Sequence, residues 1–119
     1  MSSTRTMGAV LRVTAGALLM TTALSAHSAD VSVISSLLSV YPGANGTYTL
    51  TFSDDAPSCS SPNTPKRFAV KIGENGMTSE GAKQIYAAAL AALLADKNVH
   101  FTFSDLTTDC FINRLQLLK

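Results

Sequence analysis

The stretch TSEGAKQIYAAALAALLADKN, Thr78 to Asn98, decides the fold. Stepped at about 100° per residue, Ala82, Ile85, Tyr86, Ala89, Leu90 and Leu93 fall on one side. That is the core face of an amphipathic helix. Thr78 or Ser79 stands where a cap is needed, and Glu80 sits in the first turn, where a negative charge favours the helix dipole. Lys97 falls in the last turn, and Asn98 is a candidate left-handed terminator. Gly81 weakens the first turn by up to about 1 kcal/mol relative to alanine.

The other side of this helix carries Gln84, Ala87, Ala88, Ala91 and Ala95, with Leu94 at its margin. From Gln84 to Ala95 no side chain is charged. Two readings compete. Alanine is the best helix former and is ordinary on a surface. Alternatively, small residues let a second helix approach, and these five positions form an oligomer face between copies of the chain.

Upstream of the helix the period changes from helical to alternating. VSVISSLLSV, 31–40, is rich in β-branched residues and is stopped by the turn cluster Tyr41-Pro42-Gly43-Ala44-Asn45-Gly46. Asn45-Gly46 is a strong hairpin signal. In the following run, Tyr48, Leu50 and Phe52 alternate with Thr47, Thr49, Thr51 and Ser53, which predicts a half-buried strand with a hydroxyl-lined outer face. The two runs predict a β-hairpin. Residues 54–65, DDAPSCSSPNTP, have no period and read as a loop. Lys66 to Ile72 alternates again, with Phe68, Val70 and Ile72 inward and Arg67, Ala69 and Lys71 outward.

Beyond the helix, Val99, Phe101 and Phe103 alternate with His100, Thr102 and Ser104 as a fourth strand. A polar turn, Asp105 to Asp109, leads to a last strand opening at Cys110. In that strand Phe111, Leu115 and Leu117 share one parity, while Ile112 and Leu118 share the other with Arg114 and Gln116. The mixed parity predicts a bulge or cover on both sides. The chain is therefore a β-rich α+β domain of order β-β-β-α-β-β. That is the order of a small five-stranded OB-like barrel, with a helix between strands three and four. A helix laid across an open five-stranded sheet is the alternative.

At 119 residues the chain holds one domain, preceded by a leader. Residues 1–12 contain Arg5 and Arg12 and no acid. Val13 to Ala26 is an uncharged apolar run of 14 residues, too short to span a membrane. Small residues follow, so 1–29 reads as a Sec-type signal peptide cleaved after Ala26 or Ala29. The expected location is secreted or periplasmic, with residues 30–119 as the single mature domain and no membrane insertion after cleavage. Setting aside Arg5 and Arg12 leaves seven of the nine basic residues against all eight acids, a net charge of −1. A near-neutral domain without a basic stripe is a poor partner for nucleic acid.

Both cysteines, Cys59 and Cys110, lie in the mature part. An even count in a short exported chain reads as a disulfide, with two free thiols or an intersubunit bridge as alternatives. Closing so long a loop is worth about 4 kcal/mol on a chain-entropy model.

No catalytic constellation is visible, and the sequence predicts no enzyme and no cofactor. His100 is the only histidine of the mature part and lies on the outward parity of a strand. Without a second histidine no zinc site of the usual composition can form. Asp54, Asp55, Asp105 and Asp109 read as turn formers and caps beside Ser and Thr. Asn45-Gly46-Thr47 matches a glycosylation sequon but also serves as the hairpin turn. The candidate ligand-binding residues are Tyr41, Thr47, Thr49, Thr51 and Ser53, because hydroxyls beside a tyrosine can bind a sugar. Threonine is also simply a good strand residue.

One set of features carries a resemblance: Cys59, Arg67-Phe68-Ala69-Val70, the helix Ala82 to Ala95, the link Asp96-Lys97-Asn98 into Val99-His100-Phe101, and Cys110. In their type and order they resemble the small OB-fold B subunits of bacterial A–B toxins, most of all the subtilase-cytotoxin B-subunit group and its short secreted relatives. The resemblance implies a five-stranded barrel, a ring-like assembly with helices facing its centre, and glycan recognition on the outer surface. The expected function is a non-enzymatic binding module, recognising a glycan or a protein partner. The alternative is a periplasmic structural or inhibitor-like interaction protein, contacting its partner through the loop Asp54 to Pro65.

Overall fold

A computed structural model describes residues 30–119. The leader read at 1–29, with its cleavage sites, lies outside the described residues. The elements follow the order β1 (Asp30–Pro42), β2 (Tyr48–Phe52), β3 (Phe68–Val70), α1 (Ser79–Ala95), β4 (Asn98–Ser104) and β5 (Ile112–Leu117). All five strands belong to one antiparallel sheet of order β3-β2-β1-β4-β5. No ladder joins the two edge strands. A backbone hydrogen bond from Ala69 N to Asp109 O, 3.0 Å, links β3 to the segment before β5.

β1 works as two strands in series. Asp30 to Ser36 pairs with β4, and Leu37 to Pro42 pairs with β2. The register slips between Leu37 and Ser39, leaving Leu38 as an extra residue. A bulge resets which side chains point inward. Val31, Val33, Ser35 and Leu37 face the core before it, and Val40 faces the core after it. The hairpin to β2 is closed by Gly43 N donating to Thr47 O at 2.7 Å. A Cβ at Gly43 would meet that same oxygen at 2.9 Å, so the close approach needs glycine.

The core is aromatic. Phe52 of β2 and Phe101 of β4 stack with centroids 3.8 Å apart, and Phe68 of β3 meets Phe52, Phe101 and Phe103 edge-on at 5.3, 5.2 and 5.0 Å. In a flat sheet β3 and β4 would stand three strand spacings apart, roughly 14 Å. Contact between Phe68 and Phe103 therefore requires the sheet to curl. The helix lies against β1, β4 and β5, burying Ala82, Ile85, Ala89 and Ala92. Ala92 takes the place expected for Leu90, which is only half-buried, because the centre of the buried stripe is turned slightly from the predicted one.

The structure decides between some expectations and overturns others. Thr78 is the cap, its side chain accepting from Gly81 N at 3.0 Å. The left-handed terminator is Asp96 (φ 53°), not Asn98, which instead starts β4; Lys97 lies beyond the last turn. β3 is only three residues long, and Ile72 is 50% exposed because the chain leaves the sheet at Lys71. Ala69, expected outward, is 9% exposed, with its N–H bonded to the Asp109 carbonyl beside it. β5 opens at Ile112, after Cys110 in a left-handed conformation (φ 47°). The predicted bulge is present: the register shifts between Thr102 and Phe103, so Ile112 and Leu115 both face inward.

Cys59 and Cys110 form a disulfide inside the chain, with Cα atoms 5.8 Å apart and both residues buried. It ties the irregular loop 53–67 to the start of β5. Replacing Cys59 by serine is expected to cost roughly 2–5 kcal/mol. Thermal unfolding would show it as a fall in Tm of roughly 4–8 °C per kcal/mol for a domain of this size. An unchanged Tm would mean that the bond contributes nothing.

Candidate functional site

The outward-facing threonines of β2 do not act as one patch. Thr47 belongs to the hairpin, where its N–H donates to Asn45 Oδ1 at 3.0 Å. Ser53 belongs to a hydroxyl cluster at the other end of β2, 3.1 Å from Ser35 Oγ and 2.8 Å from Ser36 Oγ. That cluster holds the exit of β2: Asp54 N donates to Ser35 Oγ and Ser53 N to Ser36 O, both at 2.9 Å. Thr49 and Thr51 lie between, and they meet Tyr41. The three share a groove of about 340 Å³ with Ser39, Asn63 and Arg67.

Each wall of the groove has its own origin. Tyr41 comes from the end of β1, directly opposite Thr49 in the ladder. It is 66% exposed, and its ring faces the Arg67 guanidinium at 5.9 Å. Ser39 and Thr51 are cross-strand partners joined through their hydroxyls at 2.6 Å. Asn63 and Pro65 come from the 53–67 loop, which is held in place by several contacts. Lys66 Nζ donates to Ala56 O at 2.8 Å, Lys66 N to Asp55 Oδ1 at 3.1 Å, and Arg67 N to the buried Ser61 Oγ at 3.2 Å.

The groove thus combines an exposed aromatic face, a guanidinium, a side-chain amide and the hydroxyls of Ser39, Thr49 and Thr51. Such a set recognises polyhydroxylated or mixed donor–acceptor ligands: the ring supplies apolar contact and the polar groups fix orientation. It contains no nucleophile–base pair. His100 is half-buried on the outer face of the sheet, between Ile34 and Gln116 in the ladder, away from the groove. Asp55 serves the loop backbone. Among the described residues no three His, Cys, Asp or Glu side chains gather into a metal-holding group, and no helix is long and apolar enough to cross a membrane.

Asn63, Arg67 and Ser39 were not singled out from the sequence. Arg67 could have been found, since it lies on the outward parity next to β2; Asn63 could not, because an aperiodic loop places it. The candidate oligomer face is outward, as expected from the pattern. Gln84, Ala87, Ala91 and Ala95 are exposed, Ala88 is half-buried, and Leu94 is 85% exposed.

A second cavity of about 370 Å³ opens between the hairpin and the first turns of α1, lined by Pro42, Ile72, Lys83 and Tyr86. Its inner wall is Tyr48, whose hydroxyl donates to the Ala82 carbonyl and whose ring meets Tyr86 edge-on at 5.1 Å. The phenol of Tyr48 therefore fixes the start of the helix onto β2. Burial, reinforced by the neighbouring Tyr86, pushes its pKa well above the ordinary range. No protein-family model, curated protein or solved structure matches this chain, and the reading of both cavities rests on their geometry.

A raised folded-state pKa on an acid that is neutral at pH 7 has a definite sign. The unfolded phenol releases its proton near pH 10, while folded Tyr48 keeps it. The stabilisation is complete below pH 10 and is lost as pH rises from there toward the folded value. In alkaline unfolding, Tyr48→Phe should start about 1 kcal/mol less stable at pH 7, for the lost hydrogen bond. It should then decline less steeply above pH 10 than the parent protein. Equal slopes would show that Tyr48 titrates normally.

Proposed function

We propose that the domain is an exported, non-enzymatic binding module that recognises a glycan in the groove between Tyr41, Thr51, Asn63 and Arg67. The observation that carries this reading is convergence. Three separate segments deliver an exposed ring and polar groups to one place, and a buried disulfide holds one of them, the 53–67 loop, still. The curled five-stranded sheet, with its helix between β3 and β4, supports the finer assignment to an OB-like barrel, one whose edges β3 and β5 share no ladder and are linked by the Ala69–Asp109 bond. The same order supports the likeness to toxin B subunits. The buried disulfide is compatible with an oxidising compartment, secreted or periplasmic.

Ring-like self-association through the outward face of α1 is part of the proposal. Ala87, Ala91 and Ala95 let a neighbouring helix come close, and Leu94 offers apolar area for it to cover. The alternative of a structural or inhibitor-like interaction protein is favoured by one feature. The Asp54–Pro65 loop is anchored at Cys59, Ser61 and Lys66 but presents Pro57, Ser58 and Pro62 to solvent.

A glycan array probed with the disulfide-intact protein should give positives, and Tyr41→Ala should weaken them about tenfold, the worth of one good ring contact. Failure to bind any glycan would leave the loop-mediated reading, for which a pull-down from periplasm is the test. Light scattering over a range of concentrations should give a mass several times that of the 30–119 chain, reduced to the monomer by Ala91→Glu. A monomer at every concentration would make the alanine face mere surface.

A further inference from the structure

Resting on the glycan reading above, we infer that the Tyr41 groove is one end of a longer trough, shaped for a neutral linear oligosaccharide rather than for a single sugar. The ladder sets the direction. Tyr41 pairs with Thr49, Thr49 pairs with Ala69, and Ala69 N donates to Asp109 O. These four positions form a row across β1, β2, β3 and the segment before β5. Three strand spacings make it roughly 14 Å long, more than any single pyranose ring.

Three depressions border this row, the first at its Tyr41 end and the other two on either side of Thr49 and Ala69. The first, of about 340 Å³, lies between Tyr41 and Arg67; the second, of about 290 Å³, between Asn63, Arg67 and Asp109; the third, of about 280 Å³, between Lys71 and Asp109. Neighbours share side chains, and Thr49 lines all three. The floor is low because Thr49 and Ala69 are short, whereas Tyr41 stands at one end and Arg67 and Lys71 at the flanks. Thr49 Oγ1 is occluded at the meeting point and finds no hydrogen-bond partner among the described residues. Rotation of its χ1 to another staggered well would offer it to a hydroxyl in the trough.

The charges along the rim select the ligand class. Arg67 and Lys71 stand as donors on the two flanks, and Asp109, an acceptor, lies at the far end. An anionic chain would meet Asp109, and a cationic one would meet Arg67 and Lys71. A neutral hydroxylated chain satisfies all three, since each hydroxyl both donates and accepts.

The test is isothermal titration of the disulfide-intact protein with two neutral series: N-acetylglucosamine with its β-1,4-linked dimer and tetramer, and glucose with its α-1,4-linked dimer and tetramer. In at least one series the tetramer should bind about tenfold or more tighter than the monomer. Lys71→Ala and Asp109→Asn, both at exposed positions, should each weaken the tetramer several-fold more than the monomer. Ala69→Leu, which raises the floor, should do the same. Monomer and tetramer binding alike, or variants that weaken both equally, would overturn the trough and leave the Tyr41 end standing. If neither series binds, the neutral-chain inference is overturned. A glycan array positive only for charged glycans would then keep the broader reading alive, and a blank array would end both.

Discussion

Phe68 is the side chain on which the rest of the structure depends. It comes from a strand of three residues, too short to hold an edge by its own ladder. Its ring nevertheless packs edge-on against Phe52, Phe101 and Phe103, which reach it from β2 and β4. Each such pair is worth about 0.5–1.5 kcal/mol beyond area burial, and the whole cluster is excluded from water. The sheet must bend to allow this contact. Once it bends, Asp109 comes within hydrogen-bonding reach of Ala69, and Cys110 within reach of Cys59. The curl, the cross-link and the anchoring of the loop all express the same requirement, that four phenyl rings from three strands share one volume.

The helix is fitted to that curl by small side chains. Ala82, Ala89 and Ala92 are buried against the sheet, where larger residues would hold the helix off. Tyr48 then fixes its starting end through the Ala82 carbonyl, and Asp96 turns the chain back directly into β4. The inside of the domain is thus fully committed to packing. Whatever recognition it performs falls to the outer face of β1, β2 and β3 and to the two irregular segments that border it.

Period and punctuation made most of the elements legible in the sequence. Alternation from Thr47 to Ser53 and from Val99 to Ser104 marks strands whose inward phenylalanines are the observed core, and the mixed parity of 110–119 signalled a bulge that is there. The reading failed where tertiary contacts outweigh local pattern. Ile72 continues the alternation of β3, yet the backbone leaves the sheet before reaching it. Asp96 adopts a left-handed conformation that asparagine would be expected to take, and the next chemically suitable residue, Asn98, is needed in the β4 ladder. The bulge at Leu38 left no trace in a run where serines and apolar residues mix without a clean alternation. The groove was half legible: Tyr41, Thr49 and Thr51 follow from parity, whereas Asn63 depends on a loop whose path is set by a cross-link far along the chain. A hydroxyl count along one strand could not show that the Ser53 hydroxyl is already engaged with Ser35 and Ser36, nor that the Thr47 N–H belongs to the hairpin.

The division of β1 at Leu38 gives the chain a kind of modularity. Its first half is bound to β4 and hence to the helix and the core; its second half is bound to β2 and carries Ser39 and Tyr41. Because the extra residue absorbs the change of register, the second half can drift in composition without disturbing the inward positions of the first. The side of the molecule that meets the outside world is thereby freed from the side that keeps it folded. Descendants of this chain could diversify what they recognise through Ser39 and Tyr41 while inheriting the same interior.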